Sequence, residues 1–175
     1  MNIAEFISAT WYVQKQRIVQ FQPLSSFYCV EANYNSNPSA WFSFWYGWDI
    51  EAQNYGENVD GTPQEATLCV KQQDEGSAKL CVAPCWLPFA GPFWIVLYEE
   101  GEQGYAVISG GQPTISTGNG CKVPDGNGLW IFTRERNPSS DLVEQVLNMT
   151  QAKGLDVDLN DFFPVNQTSC QRDGE

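Results

Sequence analysis

Between Thr10 and Arg134 the chain repeats one pattern: a short apolar, β-branched or aromatic stretch, then a cluster of Gly, Pro, Asn or Ser. Stretches of this kind read as strands and the clusters as turns. The strands fall at Thr10–Ile18, Phe27–Tyr34, the aromatic run WFSFWYGW (41–48), Glu65–Lys71, Ala78–Ala83, Phe93–Glu99, Tyr105–Ser109 and Leu129–Arg134. NSNPSA is a turn, QQDEGS closes a hairpin, NYGENVDGTP reads as an exposed connection, and GGQPTISTGNGCKVPDGNG is a long Gly-rich loop. Only after Arg134 does the period change. In NPSSDLVEQVLNMTQAKG, Leu142, Val143, Val146 and Leu147 recur at helical spacing; Asp141 with Glu144 has the form of a capping box, and Gly154 after Lys153 is a stop signal. Short strands followed by one late helix argue for an antiparallel sheet closed into a barrel, which leaves no exposed edge; a two-sheet sandwich is the alternative.

The 175 residues suit one domain, with the barrel over 10–134, the helix over 139–153 and a tail over 154–175. The longest apolar run, Pro84 to Tyr98, is shorter than a membrane-spanning helix and contains Pro84, Pro88 and Pro92. A net charge of -12 disfavours nucleic acid and anionic membrane surfaces. The absence of histidine removes the commonest general base and a common metal ligand. No pair of Asp or Glu residues can be assigned to a cavity, so no catalytic residue and no metal ligand is expected. The six cysteines lack paired CxxC spacing and read as a disulfide set formed in an oxidising compartment. Met1 to Ser8 has no secretory or transit character, so a leader is expected to have been removed, or the chain is reduced and cytosolic. Sequons at Asn148 and Asn166 matter only in a secretory pathway.

Several stretches carry a family resemblance. ATWYV is similar to the first motif of the lipocalins, with Trp11 in place and Ala9 where Gly is usual. FYCVEANYN resembles the second strand of the apolipoprotein D-like branch, which includes plant and plastid lipocalins. In PFWIVLYEEGEQGYAV, Tyr98, Glu99 and Glu100 occupy the places of the family's TDY motif, with two extra residues in the turn. LWIFTRERNPSSDLVEQVL resembles the last strand and helix, with Arg134 at the strand end, and VNQTSC resembles the branch's ending. The chain is also similar to the lipocalin core of violaxanthin de-epoxidase. The resemblance implies an eight-stranded antiparallel up-and-down barrel, one C-terminal helix packed outside it, and a cavity open at one end. It also implies that Trp11 and Arg134 pack together at the closed end as structural residues.

By analogy with the branch, Cys29 joins Cys170. If the QQDEGS hairpin turns about Glu75, Cys69 lies opposite Cys81; Cys85 with Cys121 is then left over, free thiols being the alternative. A strand at 41–48 would put Phe42, Phe44, Tyr46 and Trp48 on one face, read here as inward. With Cys29 pointing out, Ala32 and Tyr34 turn in; Trp130 and Phe132 line the cavity by family analogy. Trp41 and Trp45 would face outward, either to a partner or packed under the helix or a loop.

These walls suit a carotenoid, retinoid, sterol, tetrapyrrole or fatty acid, unless the rings simply fill the barrel. The expected function is carriage of such a ligand, with no cofactor required and a bound pigment or lipid as content. Two alternatives remain: a structural or assembly subunit of a larger photosynthetic pigment–protein complex, docked by its outer aromatics, and a de-epoxidase-like carotenoid enzyme. The de-epoxidases flank their barrel with a Cys-rich and an acidic segment, both missing from this sequence. The expected compartment is the thylakoid lumen of a plastid, ahead of the extracellular space.

Overall fold

In the computed structural model, which describes residues 1–38, 45–124 and 127–174, strands pair in chain order. β1 (Trp11–Arg17), β2 (Tyr28–Asn35), β3 (Ile50–Glu57), β4 (Pro63–Gln72), β5 (Lys79–Pro84), β6 (Gly91–Glu99) and β7 (Tyr105–Ser109) form a meander. β8 (Ile115–Ser116) and β9 (Cys121–Lys122) make a small hairpin inside the Gly-rich loop, and β10 (Leu129–Thr133) pairs with both β7 and β1. That pairing, with Val13 opposite Phe132 and Gln16 opposite Trp130, closes eight strands into a barrel. The sandwich alternative is excluded.

Two helices matter most to the outline. The short α1 (Ile3–Phe6) plugs one end of the barrel: Phe6 is fully buried, with its ring 5.4 Å from Trp11, 5.4 Å from Tyr34 and 5.9 Å from Tyr98. The longer α2 (Ser140–Ala152) lies outside, setting Val146, Leu142 and Leu147 against Val107, Leu129 and Ile131 of β7 and β10. Its cap is Ser139, whose hydroxyl accepts from the Leu142 amide, rather than the anticipated Asp141 box. Gly154 supplies the left-handed stop at φ +83°.

The tail is threaded into the barrel wall. β1 and β2 pair only at Trp11–Ala32 and Tyr12–Glu31. Beyond that they part, and β11 (Phe162–Pro164) runs antiparallel to β1 in the gap. Asn166 bonds through its backbone to Phe27 and Cys29 of the other side. The buried Gln167 amide then donates to Val13 O and Val30 O, both at 2.8 Å, bridging the parted strands. Cys29 sits in a bulge at φ +52°, aimed outward to its disulfide with Cys170.

Three expectations need correction. The strand after β2 in the sheet is IEAQNYGE: in the described part of the aromatic run, Trp45 and Tyr46 lie in a helical turn and Gly47 is at φ +66°, while residues 41–44 lie outside the described residues. The β4–β5 hairpin turns about Gly76 (φ +74°), one residue later than Glu75. Cys69 therefore faces Ala83, while Cys81 faces Lys71. Finally, Cys69 does not pair with Cys81, nor Cys85 with Cys121. The chain turns after Pro84 and brings Cys85 to Cys69, at a Cα separation of 4.8 Å; Cys81 and Cys121 are free thiols.

Two groups of outcomes follow, the first on the disulfides. Non-reducing peptide mapping should recover Cys29–Cys170 and Cys69–Cys85 as linked pairs; a Cys69–Cys81 peptide would contradict the hairpin register. Replacing Cys170 by Ser opens a loop of 141 residues and should cost about 5 kcal/mol in denaturant unfolding on the chain-entropy model. The second concerns phenols. Burial, with help from the Glu100 and Glu5 carboxylates, pushes the Tyr98 hydroxyl up to about 12. Burial and the Glu57 carboxylate do the same to Tyr55, and burial raises Tyr34 as well. Above the ordinary tyrosine value of 10.0 the unfolded chain loses these protons while the native one keeps them, so stability should fall as pH rises from 10 to about 12. Tyrosinate absorbance followed beside urea midpoints checks this, and ordinary titration of every phenol before unfolding would refute it.

Candidate functional site

The barrel's two ends differ in how they are filled. At the α1 end, the Arg134 guanidinium stacks 3.7 Å from the Trp11 ring centre. It donates to the carbonyls of Glu5 (2.8 Å), Phe6 (3.0 Å) and Ala9, while the Trp11 indole N–H donates to Phe6 O at 2.8 Å. This is a sealed floor, with the Trp11–Arg134 stack that the resemblance implied.

Towards the other end the lining opens. On β4, Val70 is buried, Leu68 partly buried and Ala66 exposed; on β5, Leu80 is buried and Val82 partly buried. On β6, Ile95 is buried, Phe93 partly buried and Gly91 exposed; on β10, Phe132 is buried and Trp130 partly buried. The strand register puts all of these on the inner face. The inner wall is thus dry at the floor and accessible towards the mouth, on the β4–β6 side. Across from it the β1–β2 connection covers the opening, with Val19 and Phe27 each 2% exposed.

Among the described inward-facing residues above the Trp11–Arg134 floor none is charged. Asn54 and Gln64 supply amides near the mouth, and buried Gln16 donates to the Gln22 side chain at 3.0 Å. Trp130 shapes the wall next to them. Its indole lies against Gly128, where a Cβ would stand 2.0 Å from the ring, and its centre is 6.4 Å from that of Phe93. Only glycine at 128 leaves the ring in this position.

The residues named from sequence divide three ways. Ala32, Tyr34, Trp130 and Phe132 face inward; Ala32 and Phe132 are sealed near the floor, Tyr34 packs on Phe6, and Trp130 reaches the accessible part. Tyr46 and Trp48 are outside the barrel. Trp48 is buried against Cys69, Cys81 and Cys85, with Lys71 Nζ 5.3 Å from its ring centre, and Tyr46 packs beside it. Their assignment to the lining is therefore corrected. Phe42, Phe44 and Trp41 lie outside the described residues, and Trp45 is 66% exposed. Leu68, Val82 and Phe93 were missed. The alternation of Phe93 and Ile95 signals an inner face, but a bulge between Ile95 and Leu97 breaks it before Tyr98.

Neither a protein-family model nor a curated protein sequence matches the chain. Solved structures do. Lobster apocrustacyanin A1 is 19% identical, with a TM-score of 0.62 over 95% of this chain and 81% of that one. Apocrustacyanin C2 is 17% identical, with a TM-score of 0.65 over 99% and 84%. Insecticyanin from the tobacco hornworm Manduca sexta is 12% identical, with a TM-score of 0.61 over 95% and 80%. Identity this low speaks for architecture alone, and the architecture of this chain is the lipocalin fold.

Proposed function

We propose that the protein binds and carries a small neutral hydrophobic molecule in the barrel lumen. The observation that supports this most directly is the inner surface of Leu68, Val82, Phe93 and Trp130, apolar side chains that remain only partly buried above a sealed floor. Lining without charge favours a ligand without charge, because a buried carboxylate would have no cation to pair with. Of the classes suggested by the sequence, a sterol, a retinoid or a carotenoid suits this wall better than a fatty acid. The amides of Asn54 and Gln64 near the mouth suit a hydroxyl or carbonyl at the outer end of such a molecule.

We further propose that the chain belongs to the apolipoprotein D-like branch of the lipocalins. The Trp11–Arg134 floor and the Cys29–Cys170 tether support that placement. Two disulfides fit an oxidising compartment, of which the extracellular space and the thylakoid lumen are examples.

Titration with a panel of neutral sterols, retinoids and carotenoids, read by quenching of tryptophan fluorescence, tests the reading. Val82→Trp, which fills the accessible wall, should weaken the best ligand about tenfold or more while near-ultraviolet circular dichroism stays native. Equal binding by this variant would place the ligand elsewhere. Failure of every ligand to bind, together with an empty solvent extract of the native protein, would remove the carrier reading.

A further inference from the structure

Several of the most solvent-exposed large apolar residues among the described ones gather at one end of this molecule. Phe21 is 78% exposed, Val59 66%, Trp86 61% and Phe89 83%. They sit on the connections β1–β2 (18–27), β3–β4 (58–62) and β5–β6 (85–90), all at the open end of the barrel. Leu24, on the first of these loops, is 47% exposed. Of the other exposed apolar residues, Ile115 (38%) lies in the Gly-rich loop, Leu159 (68%) on the tail before β11, and Trp45 (66%) on the β2–β3 connection towards the floor. Single exposed apolar side chains are ordinary, but a ring of them around one opening is not.

The loops are held so that this ring is presented as one surface. Val59 N donates to Ser25 O at 2.8 Å and Ser26 Oγ to Asn58 Oδ1 at 2.7 Å, which joins the first two connections. The third is anchored at its base by the Cys69–Cys85 disulfide, and Leu87 packs on the Trp48 cluster. Trp86 and Phe89, on either side of Leu87 and Pro88, then stand outward.

Charge says what such a surface fits. The segments 18–27 and 85–90 contain no charged residue, and 58–62 contains only Asp60, in a chain with 21 acidic and 9 basic side chains. Close by, Arg17 is engaged by Asp161 at 3.2 Å. Excess negative charge and so few cations at the rim oppose anionic lipid, whereas uncharged aromatic and aliphatic groups partition into a zwitterionic interface. The contacts come from separate loops around a hole, not from a continuous face or groove. A fluid interface conforms to such a ring, while a protein partner would need a matching relief.

We propose that the open rim is a docking surface for a zwitterionic lipid surface, into which Phe21, Trp86 and Phe89 insert so that the mouth faces lipid. The rim's residues lie outside the lumen, and the docking stands whether or not a cargo is carried.

The test is flotation of the full chain with phosphatidylcholine vesicles, with and without phosphatidylserine, read also by tryptophan emission. Expected are binding to pure phosphatidylcholine, a blue shift of emission, no weakening by added salt, and weaker binding when phosphatidylserine is included. Phe21→Ser with Phe89→Ser should lower vesicle binding about tenfold or more, with native near-ultraviolet circular dichroism and unchanged ligand binding in free solution; each single change should give part of that loss. No binding to phosphatidylcholine, binding only to the anionic vesicles, or no effect of the substitutions would overturn the proposal. So would a dimer in sedimentation that the same substitutions dissociate, since a second copy would then own the rim. Vesicle binding by a protein that takes up no ligand would leave docking intact and remove the carriage reading instead.

Discussion

The structure depends on the last strand meeting the first. β10 must lie along β1 for a lumen to exist at all, and the contact that fixes the end of that seam is Arg134 over Trp11. A desolvated guanidinium on an indole face contributes about 1 to 2 kcal/mol. Its larger effect is geometric. Planar, multi-donor Arg134 engages carbonyls of Glu5, Phe6 and Ala9, so the end of β10, the start of β1 and the N-terminal turn are set by one side chain. Lysine could not make that set of bonds, nor spread over the ring. Phe6 is thereby held as the plug that makes one end of the barrel a floor and leaves the other as the mouth.

Closure has a weak place, and the C-terminal tail fills it. Where β1 and β2 part, backbone groups of both would be left without partners inside the wall. β11, Asn166 and the Gln167 amide supply those partners, and Cys170 prevents the tail from leaving. Glu31 reinforces the same seam from outside, with one oxygen 3.0 Å from Arg136 and the other 3.1 Å from Arg172. Because this carboxylate is buried, losing both cations would leave a charge that the wall cannot solvate, whereas either one alone still pairs it. The barrel is thus completed by residues from both ends of the chain.

How much of this was legible follows from the range of each signal. The strands of periodic apolar composition, the helix and the Trp11–Arg134 floor are local or motif-bearing, and they could be read. The lining was only half legible. Trp130 and Phe132 were readable by analogy with a known barrel, whereas Tyr46 and Trp48 misled because aromatic content imitates a strand that Gly47 forbids. IEAQNYGE carried the real strand under a polar, Gly-containing surface. A single residue's difference in the hairpin centre, Gly76 for Glu75, was enough to misassign two disulfides, since register cannot be read from turn composition alone. The part that Ile3 to Phe6 play as a plug was not legible, because it exists only once the barrel surrounds them.

Segregation of charge unites the lumen and the rim. The acidic excess keeps the protein apart from like-charged surfaces, yet the described inner wall bears no charge and the adjoining loops almost none. An apolar molecule crossing water alone loses favourable contacts at both ends of its path; passing from a neutral interface through an apolar rim to an apolar wall, it stays out of water throughout. In the proposed carriage and docking, the Cys69–Cys85 bond, with a separation of 16 residues, would fix the base of the loop bearing Trp86 and Phe89. Cys29–Cys170, with its separation of 141 residues, limits the unfolded chain more than Cys69–Cys85 does, while the shorter link holds the start of the loop that bears two exposed aromatic side chains.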